Sequence, residues 1–136
     1  MIQTLTALHK VLLKKHFSIA TAESCTGGLL GFMLTSIPGS SAYFKSGLIT
    51  YSNLSKQRLL KIPAKIILKY GAVSREVAKK MAQNVRALNK TDIGVGITGI
   101  AGPSGGSGQK PLGTVYIAVQ YNGKTECQRF IFKGSR

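Results

Sequence analysis

The chain has 136 residues, 43% of them hydrophobic, which suffices for one domain, residues 1–136, with a buried core and no disulfide or metal staples. Its formal net charge of +15 favours anionic ligands such as phosphate esters, nucleic acid or acidic lipid, without choosing among them. Four scattered acids, and two cysteines about a hundred positions apart, argue against glycosidase chemistry, a disulfide framework and a paired-cysteine zinc site.

The first half of the chain alternates between helical and strand periodicity. It opens with a predicted helix over residues 2–15, whose apolar stripe consists of Ile2, Leu5, Leu8 and Leu12. Further along, the predicted elements are a strand at 17–22, a helix at 27–37 stopped by Pro38, a strand at 47–51 and a helix that Ser52 caps. The N-terminus lacks the pattern of a signal peptide, and no stretch reaches the roughly 18 apolar residues of a membrane span, so we expect a cytoplasmic protein.

The second half is predicted to hold two helices and three strands. A short helix runs between Pro63 and Gly71. The next helix, over 74–89, is capped by Ser74 and buries Val77, Met81, Val85 and Leu88. A strand at 92–99 leads into a glycine-rich loop, and 113–132 forms a hairpin around a type I′ turn at Asn122-Gly123. Five strands with interspersed helices predict an α/β layered domain.

Two apparent ligand motifs in the sequence lack the context that their chemistry needs. "GVGITG" at 94–99 matches the dinucleotide pattern, but its glycines lie inside a predicted strand and no helix opens after them. His9 and His16 have no nearby cysteine or acid to complete a metal site. The loop "GIAGPSGGSGQKP" at 99–111 can present backbone amides to a phosphate, although a merely flexible loop is equally compatible with its composition.

"TAESCTGG" at 21–28 places a hydroxyl and a carboxylate where a strand ends and a helix begins. If Ser24 is a nucleophile, the amides from Cys25 to Gly28 lie where a tetrahedral intermediate needs donors. The alternative is that Ser24 or Thr26 is an ordinary helix N-cap. Cys25 is a weaker candidate nucleophile, because no histidine is placed to pair with it.

A serine without histidine needs another base, and a lysine with a lowered pKa is one substitute. Lys56 lies about one turn into the helix that begins near Ser52, where the positive end of the helix dipole disfavours its charge. Tyr51 ends the strand just before this helix. A solvated surface lysine remains the alternative interpretation of this position.

Four segments carry a resemblance to a known family: "ATAESCTGG", "IPGSSAYFKSGLITYSNLSKQRLL", "GAVSREVAKKMA" and "GITGIAGPSGG" with "KPLGTVYIAV". Together they resemble the C-terminal domain of the CinA family, the nicotinamide-nucleotide amidohydrolases of PncC type, over about residues 5–134. The resemblance implies a three-layer α/β/α sandwich with a mixed, about five-stranded sheet. It also implies hydrolysis of nicotinamide mononucleotide to nicotinate mononucleotide and ammonia, with Ser24 as nucleophile and Lys56 with Tyr51 as base, without metal or cofactor.

On this basis a second group of residues is expected to hold the oxyanion or the substrate: Glu23, Cys25, Thr26, Gly27, Gly28, Thr98, Gly99, Gly102, Gly105 and Gly106. Glu23 either orients the lysine or binds a substrate hydroxyl. The 5′-phosphate of the substrate is expected against the loop at 99–108 and a basic surface.

The chain departs from the family pattern near its end. The family's Gly-Asp-Arg is here Gly134-Ser135-Arg136, and the family's final helix does not follow. We therefore expect a partly uncovered sheet face and a homo-oligomer, most simply a dimer, with the hairpin near the contact. Two other functions stay open: a catalytically silent nucleotide-binding or interaction domain, and a nucleic-acid-binding protein, which the scattered basic residues disfavour.

Overall fold

The computed structural model describes residues 2–134, so Ser135 and Arg136 of the altered Gly-Asp-Arg position lie outside it. The helices are α1 (Ile2–Lys15), α2 (Leu29–Thr35), α3 (Asn53–Leu60), α4 (Ala64–Tyr70) and α5 (Arg75–Asn89). The strands are β1 (Ile19–Glu23), β2 (Phe44–Ile49), β3 (Ile93–Gly99), β4 (Thr114–Tyr121) and β5 (Lys124–Ile131). A 3₁₀ helix, Ser40–Ala42, precedes β2.

All five strands belong to one mixed sheet in the order β2-β1-β3-β4-β5. β1 is central to the parallel part, since it pairs in parallel with both β2 and β3. β4 runs antiparallel to β3, and β5 antiparallel to β4. The carboxyl ends of the three parallel strands therefore meet at one edge of the sheet, the edge at which open α/β sheets bind ligands.

Helices cover both faces of this sheet, which confirms the predicted three-layer α/β/α fold. On one face, a buried cluster joins β1 to α3, α4 and α5 through Ala20, Ala22, Leu60, Ile67, Val77, Met81 and Val85. On the other face, α1 and α2 contribute Leu12 and Leu34 to a cluster with Ile19, Val95 and Ile97. No helix within residues 2–134 is long and apolar enough to cross a membrane.

Local signals in the sequence place the starts of α3 and α5 and the hairpin turn correctly. The Ser52 hydroxyl accepts a hydrogen bond from the Ser55 amide at 3.0 Å, and the Ser74 hydroxyl accepts one from the Val77 amide at 3.2 Å. Asn122 and Gly123 have φ values of 48° and 75°. These values confirm the two caps and the type I′ turn.

The apolar stripes of α1 and α5 are only partly buried, and the predicted burial of Leu88 is wrong. Ile2 and Leu8 of α1 are exposed, whereas Leu12 of the same stripe is buried. In α5, Val77, Met81 and Val85 are buried as predicted, but Leu88 is half exposed. Helical periodicity identifies the side of a helix that faces the core, but it does not show how far the neighbouring layer extends along that helix.

Two glycines of the "GVGITG" stretch allow α5 to pack closely on β3. A Cβ atom at Gly94 would overlap the carbonyl oxygen of Ala82, and one at Gly96 would overlap that of Ala78. The glycines therefore bring helix and strand together inside the core and do not form a dinucleotide-binding turn.

Candidate active site

The three parallel strands deliver the candidate catalytic residues to one cavity of about 280 Å³. Ser24 directly follows β1, Tyr51 lies two residues after β2, and Thr98 is near the end of β3. Lys56 comes from the first turns of α3. All four residues line this cavity, so the sequence-predicted serine, tyrosine and lysine lie together.

The Lys56 amine is held by three oxygen atoms. Nζ lies 3.0 Å from the Ser24 hydroxyl oxygen, 2.8 Å from the carbonyl oxygen of Thr50 and 3.1 Å from that of Tyr51. Lys56 is 1% exposed and Ser24 is 7% exposed. The pair is therefore shielded from bulk water while still bordering the cavity.

The helix cap explains how Lys56 reaches the end of the neighbouring strand. Ser52 starts α3, so Lys56 is the fourth residue of the helix. Helical side chains tilt toward the N-terminus of their helix, and this tilt points the lysine back to Thr50 and Tyr51. The spacing between Ser52 and Lys56 thus fixes the amine beside the carbonyls that precede the helix.

Burial lowers the pKa of Lys56 from its ordinary range, and an electrostatic interaction with nearby Cys25 partly opposes this shift. In the neutral amine, two N–H groups can donate to the Thr50 and Tyr51 carbonyls, which leaves the lone pair for the Ser24 hydroxyl proton. In the ammonium form, the third N–H donates to Ser24, whose own hydroxyl then donates to the Tyr51 carbonyl at 3.5 Å. The same atoms therefore accommodate both protonation states.

Tyr51 lines the cavity and offers a main-chain carbonyl and an exposed side chain. Its main-chain carbonyl oxygen accepts the hydrogen bond from Lys56, and its side chain is 56% exposed. The carbonyl contact does not depend on the phenol group. A proton relay through the phenol remains a prediction.

Glu23 does not line the cavity that Ser24 and Lys56 border. The residue is 1% exposed, and its carboxylate accepts hydrogen bonds from the amides of Gly28, Leu30 and Gly31 at 3.2, 3.0 and 2.8 Å. The expectation that Glu23 binds a substrate hydroxyl is therefore corrected, because its oxygen atoms are turned toward the start of α2.

The same contacts correct part of the predicted oxyanion site. The Gly28 amide donates to Glu23, and the Gly27 amide donates to the Ser24 carbonyl at 3.0 Å. Gly27 and Gly28 have positive φ values of 58° and 101°, so they shape the turn, and their amides already have partners inside the protein. The Cys25 and Thr26 amides remain predicted donors.

The loop after β3 forms the opposite wall of the cavity. The Thr98 hydroxyl donates to the Ala72 carbonyl at 2.8 Å and so ties β3 to the segment before α5. A Cβ atom at Gly99 would lie 2.9 Å from Cys25 Sγ, so only glycine lets these two walls approach. Gly102 and Gly105, with φ values of 82° and 95°, also line the cavity. Gly106 lies outside it, against Leu112.

A larger, mainly apolar groove of about 610 Å³ adjoins this cavity at Cys25. Val115, Ile117 and Phe132 form part of its wall, whereas Ser24 and Lys56 do not. Thr26 borders this groove rather than the smaller cavity, and its amide stays a predicted oxyanion donor. The smaller cavity is the candidate active site because the serine and the lysine both line it.

Sequence reasoning missed the residues that act through main-chain atoms. Thr50 and Ala72 accept hydrogen bonds with their carbonyl oxygens, which every residue type possesses. The only sequence signal for Thr50 is its position before Tyr51.

Among the described residues, no cluster of three or more histidine, cysteine and acidic side chains could hold a metal ion.

Known proteins share both the sequence and the fold of this chain. A family model described as the CinA C-terminal domain matches residues 2–136. A CinA-like protein of Leptospira biflexa serovar Patoc is 52% identical over 130 residues, which are 95% of this chain but only 31% of that protein. The chain thus spans about a third of the length of this relative.

Two solved structures extend the likeness to three dimensions. The competence-damaged protein (CinA) superfamily protein of Escherichia coli matches with a TM-score of 0.94 and 32% identity, over 99% of this chain and 79% of that one. The competence/damage inducible protein CihA of Agrobacterium tumefaciens matches with a TM-score of 0.93 and 36% identity, over 96% and 80% of the two chains. The resemblance predicted from the four motifs is confirmed.

Proposed function

The chain belongs to the CinA C-terminal domain family, and from this premise we propose that it is an amidase that hydrolyses nicotinamide mononucleotide to nicotinate mononucleotide and ammonia. Such a reaction serves pyridine nucleotide salvage. The observation that carries the proposal is the 3.0 Å contact between Lys56 Nζ and Ser24 Oγ in a shielded cavity. It supplies a nucleophile and a base without histidine or metal.

The first half of the reaction transfers the acyl group to the protein. Ser24 Oγ attacks the carboxamide carbon while its proton passes to the neutral amine of Lys56. The resulting ammonium lies beside the developing oxyanion and stabilises its charge. The C–N bond then breaks, Lys56 returns the proton to the nitrogen, and ammonia leaves a nicotinoyl ester on Ser24.

The second half repeats the proton transfers with water. Water attacks the ester carbon and gives a proton to Lys56, the bond to Ser24 Oγ breaks, and the proton returns to that oxygen. Tyr51 is proposed to assist these transfers. The glycine loop at 102–105, which lines the cavity, is proposed to receive the phosphate group through its amides, and the +15 net charge attracts the anionic substrate.

The test is an ammonia-release assay with nicotinamide mononucleotide in the presence of EDTA, on the wild type and on Ser24→Ala. We expect turnover in the wild type and none above background in folded Ser24→Ala. Ser36→Ala is the matched control, because Ser36 is an exposed serine at the other end of α2. Turnover that survives in Ser24→Ala contradicts the serine mechanism. Tight binding of the nucleotide without ammonia release supports the catalytically silent alternative.

A further inference from the structure

Glu23 is a buried acid that the proposed reaction does not use. It is one of four acidic residues in the chain and directly precedes Ser24. At 1% exposure its carboxylate cannot exchange its protein partners for water. Burying a carboxylate costs free energy of folding unless hydrogen bonds replace the lost hydration. The groups that donate those hydrogen bonds therefore indicate the role of the side chain.

The carboxylate completes the hydrogen bonding at the start of α2. The Leu30 and Gly31 amides donate to Glu23, and the Leu29 amide donates to the Thr26 carbonyl at 3.0 Å. The Phe32 amide then makes the first bond to Gly28 within the helix. The amides that a helix start leaves unpaired thus have partners inside the protein, and the Glu23 charge lies at the positive end of the helix.

The main chain of Glu23 connects this arrangement to the lysine. The Glu23 carbonyl accepts a hydrogen bond from the Thr50 amide at 2.7 Å, and the Thr50 carbonyl accepts one from Lys56 Nζ at 2.8 Å. On the other side, the Ser24 amide donates to the Ile97 carbonyl at 3.0 Å. Glu23 therefore lies in a segment that is bonded to α2, to the end of β2 and to the end of β3.

We infer that Glu23 is a positioning residue of the proposed active site, whose carboxylate locks the turn at 24–28 so that Ser24 Oγ stays within reach of Lys56 Nζ. This inference rests on the proposed function only for the identity of the substrate. The carboxylate acts through the backbone of the turn and touches neither substrate nor reacting atoms. A shift of about 1 Å in a nucleophile is enough to lower turnover about a hundredfold.

The test compares Glu23→Gln with wild type on two substrates, nicotinamide mononucleotide and p-nitrophenyl acetate, a small ester without a ribose or phosphate. The amide of Gln presents an NH₂ group to one of the three backbone donors, so the turn loses at least one bond. We expect both the kcat for the nucleotide and the acylation rate with the ester to fall by about 10- to 100-fold, with KM for the nucleotide nearly unchanged.

Asp92→Asn is the matched control. Asp92 lies just before β3, at the opposite edge of the sheet, and its carboxylate accepts a hydrogen bond from the Ser18 amide at 2.7 Å. This variant also removes a negative charge that is bonded to a backbone amide, so a loss of stability is expected but no loss of turnover. If Glu23→Gln does not fold, Glu23→Asp keeps the charge and shortens the side chain by one methylene group.

Two results would overturn the inference. One is a rise in KM for the nucleotide with an unchanged ester reaction, which would identify Glu23 as a substrate contact. The other is a folded variant with unchanged rates on both substrates.

If the wild type releases no ammonia but shows Ser24-dependent acylation by the ester, the proposed function fails and the ester reaction still tests the role of Glu23. A crystal structure of the variant tests it without activity: separation of Ser24 Oγ from Lys56 Nζ is expected, and an unchanged contact refutes it.

Discussion

A fully buried lysine is unusual in a folded protein, because burial disfavours its charged form. Lys56 is 1% exposed, and its amine bonds to two carbonyls and one hydroxyl. All three partners suit a neutral amine as well as an ammonium. This arrangement sets Lys56 apart from the solvated lysines that account for most of the net charge.

Lys56→Arg should lose at least about a hundredfold in kcat/KM, because a guanidinium stays protonated near neutral pH and cannot accept the Ser24 proton. In the wild type, burial lowers the pKa of Lys56, so the neutral fraction grows as pH rises through that lowered pKa. The rate should therefore rise with pH and level off below the ordinary lysine range. A pH–rate profile measures this.

Lys80→Arg serves as the control for this substitution, since Lys80 is exposed on α5. Nearly wild-type turnover in Lys56→Arg would mean that the lysine only contributes charge to substrate binding. A flat pH–rate profile across the same range would argue against a titrating amine.

The residues themselves made Ser24 and Lys56 candidates, and the family resemblance favoured them as nucleophile and base, but neither predicted the partners of Glu23. A serine at the end of one predicted strand, and a lysine one turn into the helix that follows the next predicted strand, are visible as spacing along the chain. The bonds from Glu23 to Gly28, Leu30 and Gly31 depend on the direction in which its side chain leaves the strand end. That direction is set by packing, so the sequence left two roles open, and the structure shows which amides donate to the carboxylate.

At the scale of elements, prediction succeeded where a local group fixes the backbone. Ser52, Ser74 and the Asn122-Gly123 turn act within a few residues of themselves, and each was predicted correctly. The start of β2 was predicted three residues late, at 47 instead of Phe44. β2 is an edge strand whose residues alternate between half-buried and exposed, so its apolar signal is weak.

Close packing between α5 and β3 leaves no room for a side chain at Gly96. Gly96→Ala should destabilise the fold by about 1–3 kcal/mol, because the added methyl group overlaps the Ala78 carbonyl and the helix must move away from the sheet. Urea unfolding followed by circular dichroism measures the change. Gly108→Ala is the control, since a Cβ atom there meets no atom within 4 Å. Equal midpoints for the two variants would show that the helix can shift without cost.

On the sheet face that carries α1 and α2, the half formed by β4 and β5 is less covered than the half formed by β1 and β3. α1 and α2 cover β1 and β3, whereas on β4 and β5 the side chains of Val119, Tyr121 and Phe130 are about 40% exposed. Phe130 lies opposite Val115 in the ladder and stacks on Phe132 with ring centroids 5.8 Å apart. Such contiguous apolar surface favours association, while the +15 net charge makes two copies repel each other.

These two effects give the last prediction: a homodimer whose contact includes this face of the hairpin at 113–132, and whose stability increases with salt. Raising the salt from about 0.05 M to about 0.5 M shortens the Debye length and weakens the repulsion, while apolar contacts persist. Sedimentation velocity at micromolar concentration should therefore show a larger dimer fraction at the higher salt. Phe130→Ser should lower that fraction, and Leu68→Ser should not, because Leu68 is 85% exposed on α4 across the sheet. A monomer at both salt concentrations, or equal loss of dimer in the two variants, would contradict the prediction, since the apolar face would then be stable in water or uninvolved in the contact.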